Sequence, residues 1–229
     1  MSSICIIPAR GGSKRIPGKN IRSFLGKPII AYSIEAALKS ELFDVVMVST
    51  DDQEIADIAV KYGASVPFLR SSDNSGDMAT TYQVVEEVIG CYASEGRVFD
   101  YTCTLYATAP FVTADKLKMA YSRMSSTNSE AIYTVQEFSY PIQRSVSFQE
   151  DGLKLNWPEN FNKRSQDLTK NFHDCGQFYL YETDVYLEKV GVFNMNSDAI
   201  IISEMESQDI DSETDWQLAE LKYQLMLKN

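Results

Sequence analysis

Six basic residues stand in the first 34 positions, Arg10, Lys14, Arg15, Lys19, Arg22 and Lys27, without one Asp or Glu among them. The whole chain of 229 residues carries a net charge of -11, so this stretch is a local exception that calls for an anionic partner. The segment reads "PARGGSKRIPGKN". Gly11, Gly12 and Ser13 let a backbone turn with its N–H groups exposed, a concave arrangement that holds anionic oxygens. Arg10, Lys14, Arg15 and Lys19 add charge-assisted hydrogen bonds, and arginine can give two in parallel. The chemistry this predicts is binding of a tri- or pyrophosphate. Two familiar phosphate motifs are excluded. G-x-G-x-x-G is absent, and the P-loop spacing fails, since five residues separate Gly12 from Gly18 and Asn20 follows Lys19.

An acidic counterpart lies near the other end, in "DIDSETD". Asp209 and Asp211 are one residue apart, and on an extended segment both carboxylates would share a face. Two hard oxygen donors suit Mg²⁺, which binds through one or two carboxylates plus phosphates and water. The competing reading is a helix cap, yet Ser212 and Glu213 already offer capping there. Asp215 belongs to the first helical turn, where the helix dipole favours it. Asp51 and Asp52 also follow a strand and are read as caps with a structural role.

The elements that must position these groups alternate. "ICII" and "DVVMVST" read as buried strands, "SVPFLR" as a third, and "YTCTLYA", "EAIYTVQEF", "CGQFYLYE" and "DAIIISE" as later ones. Helices are predicted over "PIIAYSIEAALKS", with Pro28 in its first turn, and over "QEIADIAVKYG", "TTYQVVEEVIGCYAS", "TADKLKMAYSRM" and "ETDWQLAELKYQLML". Repeated βα units of this length predict a three-layer α/β fold with a mostly parallel sheet. The chain is read as a single domain, 1–229. Within it, 139–172 breaks the pattern, with a hairpin-like Glu150-Asp151-Gly152 turn and no clear helix. Its apolar residues, Ile142, Val146, Phe148, Leu153, Leu155, Trp157 and Phe161, have no helix to cover them, so this excursion is read as an interface in a homodimer.

Composition narrows the class. Hydrophobic residues make up 44% of the chain and mean hydropathy is -0.23, as in an ordinary globular protein. No apolar run approaches a membrane span, and no leader segment is read at the start. Four well-separated cysteines and one histidine, His173, argue against zinc and suggest reduced thiols in a cytoplasmic protein. The acidic balance argues against general nucleic-acid binding.

Three stretches, "IIPARGGSKRIPGKNI", "VVMVSTDDQEIADIA" and "QDIDSETDWQLAE", resemble in order the acylneuraminate cytidylyltransferase family. Its members couple CTP to a nonulosonic acid, a nine-carbon sugar acid, and release pyrophosphate. "YATAPF", "YPIQR", "RSQDL" and "HDCGQFY" are similar to its pseudaminic acid branch, which serves flagellin glycosylation. The resemblance implies a Rossmann-like nucleotide-diphospho-sugar transferase fold with an inserted dimerisation segment. It implies that Arg10, Gly12, Ser13, Lys19 and Asn20 bind CTP, with Arg10 and Lys19 on the triphosphate. Arg70 and either Thr80 or Thr81 match the cytosine pocket, and Asp209 and Asp211 match the metal ligands, with Asp211, Lys19 and Arg10 as the catalytic set.

Tyr106 stands where the sialic acid branch has a sugar-contacting glutamine, which counts against N-acetylneuraminic acid as substrate. Gln143, Arg144, Arg164, Ser165, Gln166, His173, Asp174 and Gln177 are the implied sugar-binding residues. Those of the excursion would reach a partner subunit's active site. His173 is read as a sugar-binding group rather than a general base, because the sialic acid branch has arginine there. Three readings stay open: legionaminic or N-acetylneuraminic acid as substrate, a nucleotidyltransferase using UTP, or a nucleotide-binding regulator without activity.

Overall fold

The computed structural model describes residues 1–228. In chain order the strands are β1 (Ser3–Pro8), β2 (Ser23–Phe24), β3 (Lys27–Pro28), β4 (Val45–Ser49), β5 (Tyr101–Leu105), β6 (Ala131–Glu137), β7 (Val146–Gln149), β8 (Gly152–Leu155), β9 (Phe172–Glu182) and β10 (Ser197–Ile201). The α-helices are α1 (Ile29–Ser40), α2 (Gln53–Lys61), α3 (Thr81–Ser94), α4 (Ala114–Thr127), α5 (Thr183–Lys189) and α6 (Glu213–Met226).

Six strands form the central sheet in the order β10-β6-β9-β5-β1-β4. All pairings are parallel except those of β9, which runs antiparallel to both β5 and β6. Alternation along β1 builds both faces. Cys5 and Ile7 pack with α1, α2 and α4 residues such as Ile34, Ile55 and Leu117. Ile4 and Ile6 pack on the other side with Val85 and Val88 of α3 and Tyr186 of α5. This is the three-layer α/β arrangement that the alternating pattern predicts.

From β1 the chain passes through α1 to β4 at one edge, then returns to β5 on the other side of β1. The order therefore reverses between β1 and β5. In open α/β sheets a crevice opens at the carboxyl ends of the strands at such a point, which is where ligands bind. A third cluster closes that end. Ile16 from the loop after β1 and Phe24 pack with Ile210 and with Trp216 and Ala219 of α6. Edge-to-face contacts join Phe24 to Tyr32, Trp216 and Tyr223. The last helix is thereby fastened beside the first loop.

Several local expectations are corrected. "SVPFLR" is not a strand: only Ser65 bridges to Met47, after which Pro67 has no N–H to give a ladder. Pro28 occupies the N-cap position of α1, one residue before the first helical turn. Asp209 and Asp211 lie in irregular chain, so strand alternation does not orient them. The helix α5 and the antiparallel insertion of β9 were not anticipated.

The excursion is largely irregular, with short 3-10 turns and the hairpin β7–β8, in which Gln149 pairs with Gly152. Gly152 has φ +114°, left-handed backbone that only glycine adopts without strain, and this permits the tight turn. Among the described residues no helix is long and apolar enough to cross a membrane.

Candidate active site

The loop after β1 is held from both flanks. Ala9 N–H donates to the Ser49 carbonyl at 2.9 Å, continuing the β1–β4 pairing. Beyond it, the buried Asn20 donates through Nδ2 to the Arg10 carbonyl at 2.9 Å. Gly11 N–H donates to Asp51 Oδ1 at 2.9 Å, and Ser13 N–H donates to the Gly11 carbonyl at 2.9 Å. A Cβ on Gly11 would sit 2.6 Å from Asp52 Oδ2, so no side chain fits there. The Gly11 amide is therefore committed within the chain and is not one of the free donors expected of this loop.

Every cation of the opening stretch meets an acid. Arg10 pairs with Asp77 at 2.6 Å, and Lys14 reaches the same carboxylate. Arg15 pairs with Asp211 at 2.7 Å. Lys19 donates from Nζ to the Ile210 carbonyl at 2.7 Å and stands 3.7 Å from Asp211. Arg22 and Lys27 turn outward to Glu213 and Glu35. The stretch thus divides into four cations around a cavity and two that brace the fold. An anion that takes Arg10 and Lys14 must compete with Asp77.

The cavity has a volume of about 450 Å³ and lies at the switch point. Arg10, Ser13, Lys14, Arg15, Lys19 and Asn20 line one wall, with Arg70 at its side. Arg70 is only 8% exposed and is oriented by Ser49, through Nε to Oγ at 3.0 Å and Nη2 to the carbonyl at 2.5 Å. Burial pulls its guanidinium below the ordinary value, and the charges of Asp51 and Glu87 oppose this. Thr81, not Thr80, lines the cavity, with its Oγ1 3.1 Å from the Tyr106 hydroxyl. Thr80 caps α3 in a reciprocal bond pattern with Gln83. A Cβ added at Gly12 would meet no atom within 4 Å, and Gly12 does not line the cavity.

The opposite wall carries the acids. Asp209 lines the cavity. Solvent still reaches it, yet partial burial and the neighbouring Asp211 push its carboxyl above the ordinary value, while Lys19 and Arg15 oppose the shift. Asp211 does not line the cavity itself and is held at its rim by Arg15. Among the described residues no group of three or more His, Cys, Asp or Glu could hold a metal ion. A cation here would bind through two carboxylates and would need further oxygens from a nucleotide and from water.

Of the residues assigned to the sugar, Tyr106, Asp174 and Gln177 line the cavity. Asp174 accepts from Gly176 N–H at 3.0 Å and from the Tyr179 hydroxyl. Gln177 donates to the Glu206 carbonyl at 2.7 Å, and its buried Oε1 has no partner among the described residues. An acceptor left free in this wall is suited to a ligand O–H or N–H.

The remaining assigned residues are not brought to the cavity within one chain. Gln143 donates to the Thr169 carbonyl, Arg144 to the Lys163 carbonyl, and Arg164 pairs with Asp167 at 2.8 Å. Ser165 and Gln166 border a separate depression of about 280 Å³ beside Phe138. His173 packs against Phe138 with the rings tilted by 59° and centroids 4.9 Å apart, and its Nδ1 lies 2.9 Å from the Asp174 carbonyl.

Tyr179 and Gln208 are cavity residues that sequence reasoning left out. Tyr179 is an aromatic strand residue to which the sequence assigned no role. Its position two after Gln177 on β9, hence on the same face, was the available signal.

A reversing α/β sheet with a basic loop at its switch point and Asp209 in the same cavity is the arrangement of a nucleotide-using transferase of the α/β class. The chain belongs to the cytidylyltransferase family, whose model matches residues 4–228. It is 43% identical to a pseudaminic acid cytidylyltransferase of Campylobacter jejuni, over 98% of this chain and 97% of that protein. It is 33% identical to a CMP-N,N'-diacetyllegionaminic acid synthase of Legionella pneumophila, over 96% and 95% respectively. A solved CMP:2-keto-3-deoxy-manno-octonic acid synthetase complexed with CTP shares the fold across the full length of both chains, with TM-score 0.70 and 17% identity.

Proposed function

We propose that this chain transfers the cytidylyl group of CTP to the anomeric hydroxyl of pseudaminic acid and releases pyrophosphate. For the reaction, the supporting observation is the cavity that sets Arg10, Lys14, Arg15 and Lys19 against Asp209. For the sugar, support comes from the near full-length similarity to pseudaminic acid cytidylyltransferases. Tyr106 adds to it as a phenol where the sialic acid branch has an amide.

The anomeric oxygen forms a bond to the α-phosphorus, the bond from that phosphorus to the bridging oxygen of pyrophosphate breaks, and the hydroxyl proton passes to solvent. Such chemistry needs positioning and charge stabilisation more than covalent help. Lys19 and Arg10 stabilise the departing pyrophosphate, and Arg70 and Thr81 orient the cytosine. Gln177 Oε1 and the Asp174 carboxylate accept from the sugar's hydroxyl and amide groups. The Asp209–Asp211 pair fits Mg²⁺: partial burial and then the charge of Asp211 raise the Asp209 carboxyl, and a divalent cation would offset both. The bound ion supplies Lewis acidity toward the attacking hydroxyl and the phosphate.

The chain works as a homodimer in this reading. Phe148 and Phe161 are 91% and 65% exposed on the excursion, and a second copy would cover them. Buried Gln143 Oε1 and Arg144 Nε have no partner among the described residues. With Arg164, Ser165, Gln166 and His173 they belong to the surface that meets the partner's sugar site. The product is an activated donor for flagellin or surface glycosylation, made in the cytoplasm.

The test is pyrophosphate release with CTP or UTP against pseudaminic, legionaminic and N-acetylneuraminic acids. The expected result is turnover with CTP and preference for pseudaminic acid by kcat/KM. Preference for legionaminic acid would transfer the assignment to that branch, and absence of turnover with every pair would overturn it.

A further inference from the structure

Two consecutive acids follow β4, and the structure gives them different work. Asp52 caps α2, its Oδ1 accepting from Glu54 N–H at 2.8 Å and Ile55 N–H at 3.3 Å. Asp51 makes neither of these bonds. Its Oδ1 accepts from Gly11 N–H at 2.9 Å, across 40 positions of sequence. The Arg10 carbonyl and the Gly11 N–H belong to one peptide unit. Asn20 Nδ2 bonds its oxygen at 2.9 Å, and Asp51 bonds its nitrogen. A planar peptide bonded at both ends cannot rotate without breaking one of them. A Cβ on this glycine would meet the Asp52 side chain, so the unit has this position only with glycine.

The orientation of this peptide sets two things at once. It restricts the direction in which the Arg10 side chain leaves the chain, and it anchors the start of the turn in which Ser13 N–H donates to the Gly11 carbonyl. A carboxylate beside a phosphate site raises the electrostatic cost of binding an anion. An acceptor at this atom must therefore be worth more than that repulsion, and the nearby buried guanidinium of Arg70 offsets part of it.

We infer that Asp51 is a positioning residue for the phosphate loop, acting through the Arg10–Gly11 peptide to set where the loop holds the nucleotide's terminal phosphates. This rests on the proposed CTP reading. It separates Asp51 from Asp52, although the two are adjacent and chemically identical.

Three proteins carry the test: wild type, Asp51→Ala and Asp51→Asn, in which the amide oxygen keeps the acceptor without the charge. Affinity is measured calorimetrically for CTP and for CMP, which lacks the terminal phosphates. Hydrogen exchange at the Gly11 amide is followed in the nucleotide-free protein. In Asp51→Ala, Gly11 exchange accelerates, CTP binding weakens about fivefold and CMP binding changes by less than about twofold. In Asp51→Asn, both exchange and CTP affinity stay near wild type. Should Asp51→Ala fail to fold, Asp51→Glu replaces it, since an added methylene displaces the acceptor; it should weaken CTP while Asp51→Asn does not.

Unchanged Gly11 exchange or unchanged CTP affinity in the alanine variant overturns the inference. So does a CMP loss equal to the CTP loss, which would mean that Asp51 acts on Arg70. So does an asparagine variant as weak as alanine, which would make charge the cause. A wild-type chain that binds no CTP sinks the functional reading and this one together, whereas normal wild-type binding with an unaffected Asp51→Ala sinks this one alone.

Discussion

Lys19 joins the two halves of the candidate site, and Lys19→Ala tests both its bond and its role. Its ammonium donates to the Ile210 carbonyl at 2.7 Å, linking positions 191 residues apart. A hydrogen bond from a charged donor contributes about 1.5–3 kcal/mol when partly buried. The Asp211 carboxylate 3.7 Å away is 40% exposed, so solvent screening leaves that ion pair near the bottom of the 0–1 kcal/mol range. The expected loss is about 2 kcal/mol, a fall in Tm of about 4–8 °C for a chain of this size. A separate loss appears in catalysis, because the same ammonium faces the cavity. Removing one charged contact to the departing phosphates lowers kcat/KM by about tenfold to a hundredfold.

Arg15→Ala is the control for stability. Its side chain is 70% exposed and makes only the ion pair with Asp211, so Tm should move by no more than about 2 °C. The assays are thermal unfolding and continuous pyrophosphate release. Wild-type kcat/KM in Lys19→Ala would remove the loop from the site. An unchanged Tm with lost activity would refute the bond to Ile210 while keeping the loop.

Asp209 has a carboxyl raised above the ordinary value by burial and by Asp211, so the fold holds its proton more readily than the unfolded chain does. Its stabilising contribution is present below the unfolded pKa and is lost as pH rises through the folded one. Asp209→Asn should therefore raise Tm at pH 7, with the gain shrinking on acidification, and should raise the Mg²⁺ needed for half-maximal rate; a lower Tm at pH 7 refutes the strain. For the excursion, wild type should sediment as a dimer at micromolar concentration. Phe148→Asp with Phe161→Asp should shift it toward monomer with loss of activity, and a fully active wild-type monomer would contradict this.

The amino-acid sequence was sufficient wherever the cause is local. Charge type and glycine spacing in "ARGGSKRIPGK" marked the basic loop, and apolar periodicity marked five of the helices with the strands between them. Two caps acted as read, Ser212 for α6 and Asp52 for α2, and Asp215 sits in the first turn of α6, whereas Asp51 is not a cap and Thr80, assigned to the cytosine pocket, is one. Short-range rules suffice there because each residue's partners lie within four positions.

Three-dimensional packing decided what depends on distant partners. Nothing in "HDCGQFYLYE" states that β9 inserts antiparallel between β5 and β6, since strand order follows from which faces are buried together. Asp51 and Asp52 are the same residue type, yet only contact with Gly11, 40 positions away, separates the positioning acid from the cap. Asp209 faces the cations although its segment is not a strand, because Ile16, Phe24, Ile210 and Trp216 pack together and carry the C-terminal segment to the loop. Gln177 became a free acceptor only when Glu206 took its amide. His173 shares a motif with Asp174 and Gln177 but stands on β9 beside Phe138, and Arg164 pairs with Asp167 within the excursion. The sequence therefore specified the chemistry of each wall, and burial of apolar side chains remote in sequence brought the walls face to face.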